Sequence, residues 1–385
     1  MVRLSPGMIG KTGVRLRVDD WPNPSIWLRS TSPVRASVEM FALAPVGPPA
    51  SAETWILDVD GLTAGTAYTF AIEGGGEPGG GVTIRTPPES LSQGPLELAL
   101  LSCYFPSEEY VANPNLVLRC LDTVADVPHL KIFCGDQIYA DVPWSWTSEG
   151  ATEVYSQLYR TVWTRGRLGA LVSRGANVFV SEDHEFWNSF PDEMPYLSRS
   201  GGREWFEWAT AAAEAAWVEQ SIWNFGKAFL GGASCRRGWG QTTLADVDMF
   251  VADTRTDRVS LNGARCFLAT STMGAHPADS QRSVMGCDQL QALAGWADGV
   301  KRIGVLVLGQ PLLARSTGAW SFDATLVDYE TDYEKIVTSL RRNIEERGVS
   351  FVVLTGDIHW GRLVYWSPLT RPQNRPNAKL VEFVA

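Results

Sequence analysis

Two hydrophobic grammars divide the chain. From Val14 to about Arg85, short segments alternate apolar and polar residues (VRLRV, SIWLRS, ASVEMFAL, ETWILDVDGL, AYTFAIEG, GVTIRT), with Pro- and Gly-rich turns between them. Period-two alternation marks strands with one face in a core and one in water, so this part predicts an all-β sandwich. Past Pro95 the strands change character: LELALLS, HLKIFCGD, ANVFVSED, DVDMFVAD, RIGVLVLG and SFVVLTGD are apolar almost throughout. Helical periodicity fills the intervals, in NLVLRCLDTVAD, EVYSQLYRTVWTR, REWFEWATAAAEAAWVEQSIW and DYEKIVTSLRRNIEERG. Strands without a polar face, interleaved with helices, predict a layered α/β fold with both sheet faces covered.

The run TPPESLSQGP, Thr86 to Pro95, has no apolar period and separates the two grammars. The expected organisation is a β-sandwich over residues 1–88, a linker at 89–96 and an α/β domain over 97–385. In the first part, VDGLTAGTAYTFAI resembles the G-L-x-P-x-T-x-Y-x-F signature of fibronectin type III modules, a resemblance that implies Leu62 in the core and Tyr68 at a corner. The last run, KLVEFVA, reads as a strand that either closes the sheet or is clipped at Ala385.

At 385 residues and 45% apolar, the chain can bury a large core and exceeds one ordinary domain. No run of 18 apolar residues occurs, so no membrane span is expected. The first residues, MVRLSPGMIGKTGVRLRVDD, lack the apolar centre of a secretory signal, which favours a cytoplasmic location unless a signal has been removed. Six cysteines, at 103, 120, 134, 235, 266 and 287, show neither C-x-x-C spacing nor the density of a disulfide scaffold, so reduced and mostly buried thiols are expected. A net charge of −10 opposes an extended nucleic-acid surface, which relies on Lys and Arg to neutralise many phosphates. A small phosphate ester is compatible with that charge if cations and a few arginines attract it locally. Oligomeric state is left open.

Polar clusters gather at strand ends, where ligands sit in open α/β sheets. Cys103 follows LELALLS, GDQIY (Gly135 to Tyr139) follows HLKIFC, EDHEFWN (Glu182 to Asn188) follows ANVFVS, and GDIH (Gly356 to His359) follows SFVVLT. The chain has only four histidines, and two of them, His184 and His359, fall in these clusters. Asp136 and Tyr139 offer hard oxygen donors suited to a trivalent ion; the amide of Asn188 suits a hard ion such as calcium. Cys103 read alone is as well explained by packing. Arg255 and Arg258, in VADTRTDR, either grip a phosphate or pair with Asp253 and Asp257. His129 is expected to be structural and His276 to lie in a loop. The aromatic segments at Phe186 to Pro191 and around Trp205 and Trp208 either pack or rim the cleft.

The order G-D-x-x-Y, x-D-H-E, G-D-x-H resembles calcineurin-like metallophosphoesterases. With Cys103 after the first strand, Asp183 in place of Asn, Asp357 in place of a first His, and the D-x-R of Asp253 to Arg255, the resemblance narrows to PhoD-type alkaline phosphatases and phosphodiesterases. It covers nearly the whole chain. It implies a metallophosphoesterase sandwich of two mixed β-sheets flanked by helices, behind an all-β fibronectin/Ig-like domain. It also implies two or more metal ions, with Fe(III) and Ca(II) favoured over Zn(II) or Mn(II). Cys103, Asp136, Tyr139 and His359 would surround a first metal, with Asp136 bridging to a second held by Asp183 and Asp357. Gln310 stands where relatives carry V-x-x-H, and Asn188 is a further candidate ligand.

Two metals about 3.5–4 Å apart can clamp an attacking hydroxide and a phosphoryl oxygen during in-line displacement. His184 would face the leaving oxygen as general acid, and Arg255, with Arg258 second, would hold the phosphate. The implied activity is hydrolysis of phosphate mono- or diesters. The alternative is a non-catalytic member that binds a phosphorylated ligand or partner, against which the intact set of Asp136, Asp183, His184, Asp357 and His359 weighs.

Overall fold

The structure, a computed structural model, describes residues 3–19, 28–30, 35–41, 54–72, 81–104, 128–139, 155, 158–159, 162, 166–186, 189–190, 238–258, 283–315, 325–368 and 378–385. The first part of the chain forms two antiparallel sheets. One has the order β1 (Arg3–Ile9), β2 (Gly13–Asp19), β5 (Thr54–Asp60), β4 (Arg35–Phe41); the other has β3 (Leu28–Ser30), β6 (Ala67–Ile72), β7 (Val82–Arg85). Val14, Leu16 and Val18 of β2 point into the core as the alternation requires. The opposite face of β2 is covered as well: Arg15 is buried and bonds Asp58 of β5 through two nitrogens, at 2.8 and 3.0 Å. Leu62 and Tyr68 are both buried, and the Tyr68 hydroxyl accepts the Thr63 N–H at 2.8 Å.

Strand β1 escapes the alternation rule because Pro6 and Gly7 interrupt it. Proline has no N–H to give a ladder, and β1 is accordingly the edge of its sheet, with a register shift between Pro6 and Ile9.

The remaining strands form two further sheets. Strands β10 (Ala176–Val180), β9 (Leu130–Cys134) and β8 (Leu98–Leu101) run parallel in that order. The larger sheet has the order β11 (Gly240–Leu244), β12 (Val247–Val251), β13 (Ile303–Val307), β14 (Ser350–Thr355), β16 (Leu380–Val384), β15 (Arg362–Trp366). Its four central strands are parallel and its two edges antiparallel, so it is mixed as expected, whereas the three described strands of the smaller sheet are not. KLVEFVA lies inside the sheet, and the exposed strand β15 closes that edge instead.

The apolar strands face two cores, which explains their lack of a polar face. Met249, Val251, Val305 and Val307 turn to one side, where they join Leu130, Ile132, Val178 and Val180. Their neighbours Phe250, Leu306 and Val353 turn to the other and meet the helices α2 (Cys287–Gly299) and α3 (Glu330–Arg342) through Leu293, Trp296, Ile336 and Leu340. A shorter helix, α1 (Gly166–Val172), precedes β10. The first of these cores also takes in Leu4, Leu16, Phe70 and Ile84 from the N-terminal sheets. There the Gly175 N–H meets the Thr83 carbonyl at 3.0 Å, and the Asn177 side-chain amide donates to the Pro6 carbonyl.

Some expectations fall elsewhere. The segments NLVLRCLDTVAD and REWFEWATAAAEAAWVEQSIW, most of EVYSQLYRTVWTR, and Trp205, Trp208 and His276 lie outside the described residues. Of the described cysteines, Cys134 is buried, Cys103 half-buried and Cys287 exposed at the start of α2. No helix among the described residues is long and apolar enough to cross a membrane.

Candidate metal centre

The ends of β8, β9 and β14 converge, and their backbones are unusual there. Cys103, Asp136, Asp357 and His359 have φ of 56°, 60°, 77° and 54°. Left-handed backbone is uncommon for residues with a Cβ and persists only where the surroundings over-determine it. One such device is Ser102, whose hydroxyl donates to the Cys134 carbonyl at 2.9 Å and accepts the Asp357 N–H at 3.1 Å. The three strand ends are thereby stitched together. Gly356 allows this approach, since a Cβ there would lie 2.1 Å from both the Cys134 oxygen and Ser102 Oγ. Gly135, at φ 84°, likewise passes so close to Glu182 that a Cβ would meet its side chain at 2.3 Å.

A second device is the short 3-10 turn Asp183–Glu185 after β10. The Glu185 carboxylate is fully buried and accepts four backbone N–H groups: Asp136 at 3.0 Å, Gln137 at 2.7 Å, Ile138 at 3.3 Å and Glu182 at 2.7 Å. It fixes the loop that carries Asp136 relative to the loop that carries Asp183 and His184.

Among the described residues, three overlapping groups could hold a cation: Cys103, Asp136 and His359; Asp136, Asp183 and His184; and Glu182, Asp183 and Asp357. The Cys103 thiol lies 3.4 Å from Asp136 Oδ2, and His359 Nε2 lies 4.0 Å from the same oxygen. Asp183 Oδ2 accepts the Ser189 N–H at 2.5 Å. The other oxygens, Asp136 Oδ1 and Asp183 Oδ1, are buried without a hydrogen-bond partner. Burial first, and then the charges of Asp183, Glu185, Cys103 and Asp357, push the Asp136 carboxyl well above the usual range. A buried carboxylate with orphaned oxygen and like charges around it is strongly disfavoured unless a cation is present. The residues therefore fit bound cations. The Tyr139 and His184 rings meet at the same place, their centres 4.3 Å apart and their planes tilted by 38°. Burial and the neighbouring Asp136 also push the Tyr139 phenol upward, so its ionised form requires a cation beside it.

Three expected site residues are engaged with other side chains of the protein. Arg255 is 1% exposed and bonds the buried Glu182 through Nε at 2.6 Å and through Nη2, while Nη1 donates to the Phe190 carbonyl. Burial opposes its charge, but Glu182 more than compensates and holds the guanidinium protonated. The guanidinium thus pairs with Glu182, while Asp253 Oδ1 accepts the Arg255 backbone N–H at 3.0 Å. Arg258, also 1% exposed, bonds the Tyr329 hydroxyl and Gln310 Oε1, both at 2.9 Å. Gln310 thus gives its oxygen to a donor-only guanidinium and turns Nε2 towards Asp357 Oδ2 at 3.4 Å. In this arrangement its amide links Arg258 to Asp357. Asn188 lies outside the described residues. His129 is buried and accepts the Glu97 N–H on Nδ1 at 3.0 Å, a structural role as expected.

Parallel strands ending in a shared carboxylate, thiol and imidazole cluster define a metal-site protein of the layered α/β class. The chain belongs to the PhoD-like phosphatase family, whose model matches residues 100–385. A solved structure of PhoD is similar over 100% of this chain and 76% of that chain, with a TM-score of 0.67 at 18% sequence identity, which shows a common fold. No curated protein matches the sequence.

Proposed function

We propose that the chain hydrolyses phosphate mono- or diesters at a centre of two or more cations. The observation that carries this reading is the sharing of Asp136 and Asp183 between adjacent ligand groups, each with one buried oxygen unpartnered. Cys103, Asp136, Tyr139 and His359 would hold one ion, and Asp136, Asp183 and Asp357 a second. A thiolate and a phenolate suit Fe(III), and an all-carboxylate neighbour suits Ca(II), with Zn(II) or Mn(II) the alternative. Such ions supply Lewis acidity towards a phosphoryl oxygen and make a bound water acidic enough to attack near neutral pH.

The side chains do the rest. Asp136, which belongs to two of the candidate ligand groups, would offer its carboxylate to both ions. His184, braced against Tyr139, delivers a proton to the departing oxygen. Glu185 and Gln310 keep Asp136 and Asp357 aimed. Residues 97–385 form the catalytic part in this reading, behind a linker at 89–96 and a fibronectin-like module at 1–88, which the buried Leu62 and the Tyr68 to Thr63 hydrogen bond support.

The test is metal analysis of the purified chain combined with hydrolysis of 4-nitrophenyl phosphate and bis(4-nitrophenyl) phosphate. A visible absorption band that vanishes in Tyr139→Phe would support phenolate bound to ferric iron. Folded protein that takes up no metal and hydrolyses neither ester would overturn the proposal.

A further inference from the structure

A cavity of about 490 Å³ lies against the metal centre, with Cys103 and His359 in its wall. The rest of that wall combines apolar side chains, Leu100 and Leu101 of β8, Phe133 of β9, Leu168 and Leu171 of α1, and Trp360 directly after His359, with the uncharged polar ones of Ser102, Tyr104 and Gln137. Its volume falls within the roughly 300–1,000 Å³ of small-molecule sites, which combine an apolar lining with a few polar groups at the point of chemistry. Among the described lining residues there is no Lys, Arg, Asp or Glu. A charged substituent entering there would lose water with no Lys, Arg, Asp or Glu of that wall to pair with. An alkyl or aryl group would gain from leaving water. Trp360 lines the cavity yet stays 64% exposed, so its indole stands at the mouth.

We infer that this cavity receives an apolar substituent, alkyl or aryl, of the phosphate ester, and that Leu171 and Trp360 set the preference. The inference rests on the hydrolytic reading above and names the substrate class for that site.

Alkylphosphonates test it, because one head group is kept while the chain grows from methyl to hexyl. Calorimetry on the metal-loaded full chain should show Kd falling about three- to fourfold for each methylene buried. The heat-capacity change should become more negative along the series. Leu171→Arg should flatten this dependence at least tenfold over the series. Trp360→Ala, at an exposed position that the fold does not need, should flatten it at least threefold. A Kd that ignores chain length, in protein that hydrolyses 4-nitrophenyl phosphate, overturns the cavity assignment alone. Absence of both phosphonate binding and hydrolysis overturns it together with the function beneath it.

Discussion

The carboxylate of Glu185 accepts the backbone N–H of Asp136 at 3.0 Å, and thereby one loop of the metal centre is fastened by the side chain of another. The same carboxylate holds Gln137, Ile138 and Glu182. Glu185→Gln keeps the shape but replaces one acceptor oxygen with a donor that faces N–H groups. Partners behind metal ligands typically contribute about 10–100-fold in affinity. Glu185→Gln should weaken metal binding by that amount in a chelator competition, and unchanged affinity would show that the clamp does not matter to the centre.

Asp136→Asn should move activity and stability in opposite directions. Hydrolysis should fall by more than the roughly 100-fold that outer partners cost. The wild-type carboxyl is raised well above its usual range, so the folded chain binds its proton more tightly than the unfolded chain does. Ionisation at neutral pH therefore opposes folding of the cation-free protein. The neutral amide removes that penalty, and Tm without metal should rise, on the order of 2–4 °C for each kcal/mol relieved. A variant that is inactive and also less stable without metal would contradict this account.

His129 gives the fold an acid limit away from the metal centre. Burial, and after it the charge of Arg85, lower its pKa from 6.5 to about 4. The folded chain holds it neutral, as the accepting bond from Glu97 requires. Because the folded value is depressed, this contribution is fully present above about 6.5 and is lost as pH falls towards 4. Urea midpoints at pH 7 and pH 4.5 should therefore drop further in wild type than in His129→Asn, whose amide oxygen can accept the same bond without titrating.

Gly356→Ala would place a methyl group 2.1 Å from the Cys134 carbonyl and Ser102 Oγ. Forcing these apart should cost about 1–3 kcal/mol, as overpacking does elsewhere. Ser102 also holds the Asp357 N–H, so weaker metal uptake should accompany the lower urea midpoint. Loss of stability with intact metal uptake would mean that the strand ends adjust independently.

Much of this was legible in the sequence. The strands that end in Cys103, Asp136 and Asp357 announced themselves by apolar runs, and the structure brings those three residues together with Asp183, His184 and His359. The sequence placed Glu182 and Glu185 beside Asp183 but could not say which carboxylate faces a cation and which faces backbone N–H. That depends on loop geometry, including the left-handed backbone at four of the site residues. The acid that pairs with Arg255 was not legible for the same reason: Glu182 is 73 positions away, while two nearer acids were the visible choices. Strands β1, β11 and β15 were not read from the sequence: β1 is broken by Pro6, β11 (GQTTL) is a polar edge, and β15 is an edge with Leu363 and Tyr365 exposed. None of the three shows the apolar run or clean apolar–polar alternation that makes the other strands readable.

The shared core between the N-terminal sheets and the strands beneath the metal centre has a mechanical consequence. Leu91 and Leu96, in the segment 89–96 between the two parts, also pack against that core. The junction is a weld, without the slack of a tether. Heat should melt the whole chain in one cooperative step, and removing the first 85 residues would strip one wall from the core that supports the catalytic loops.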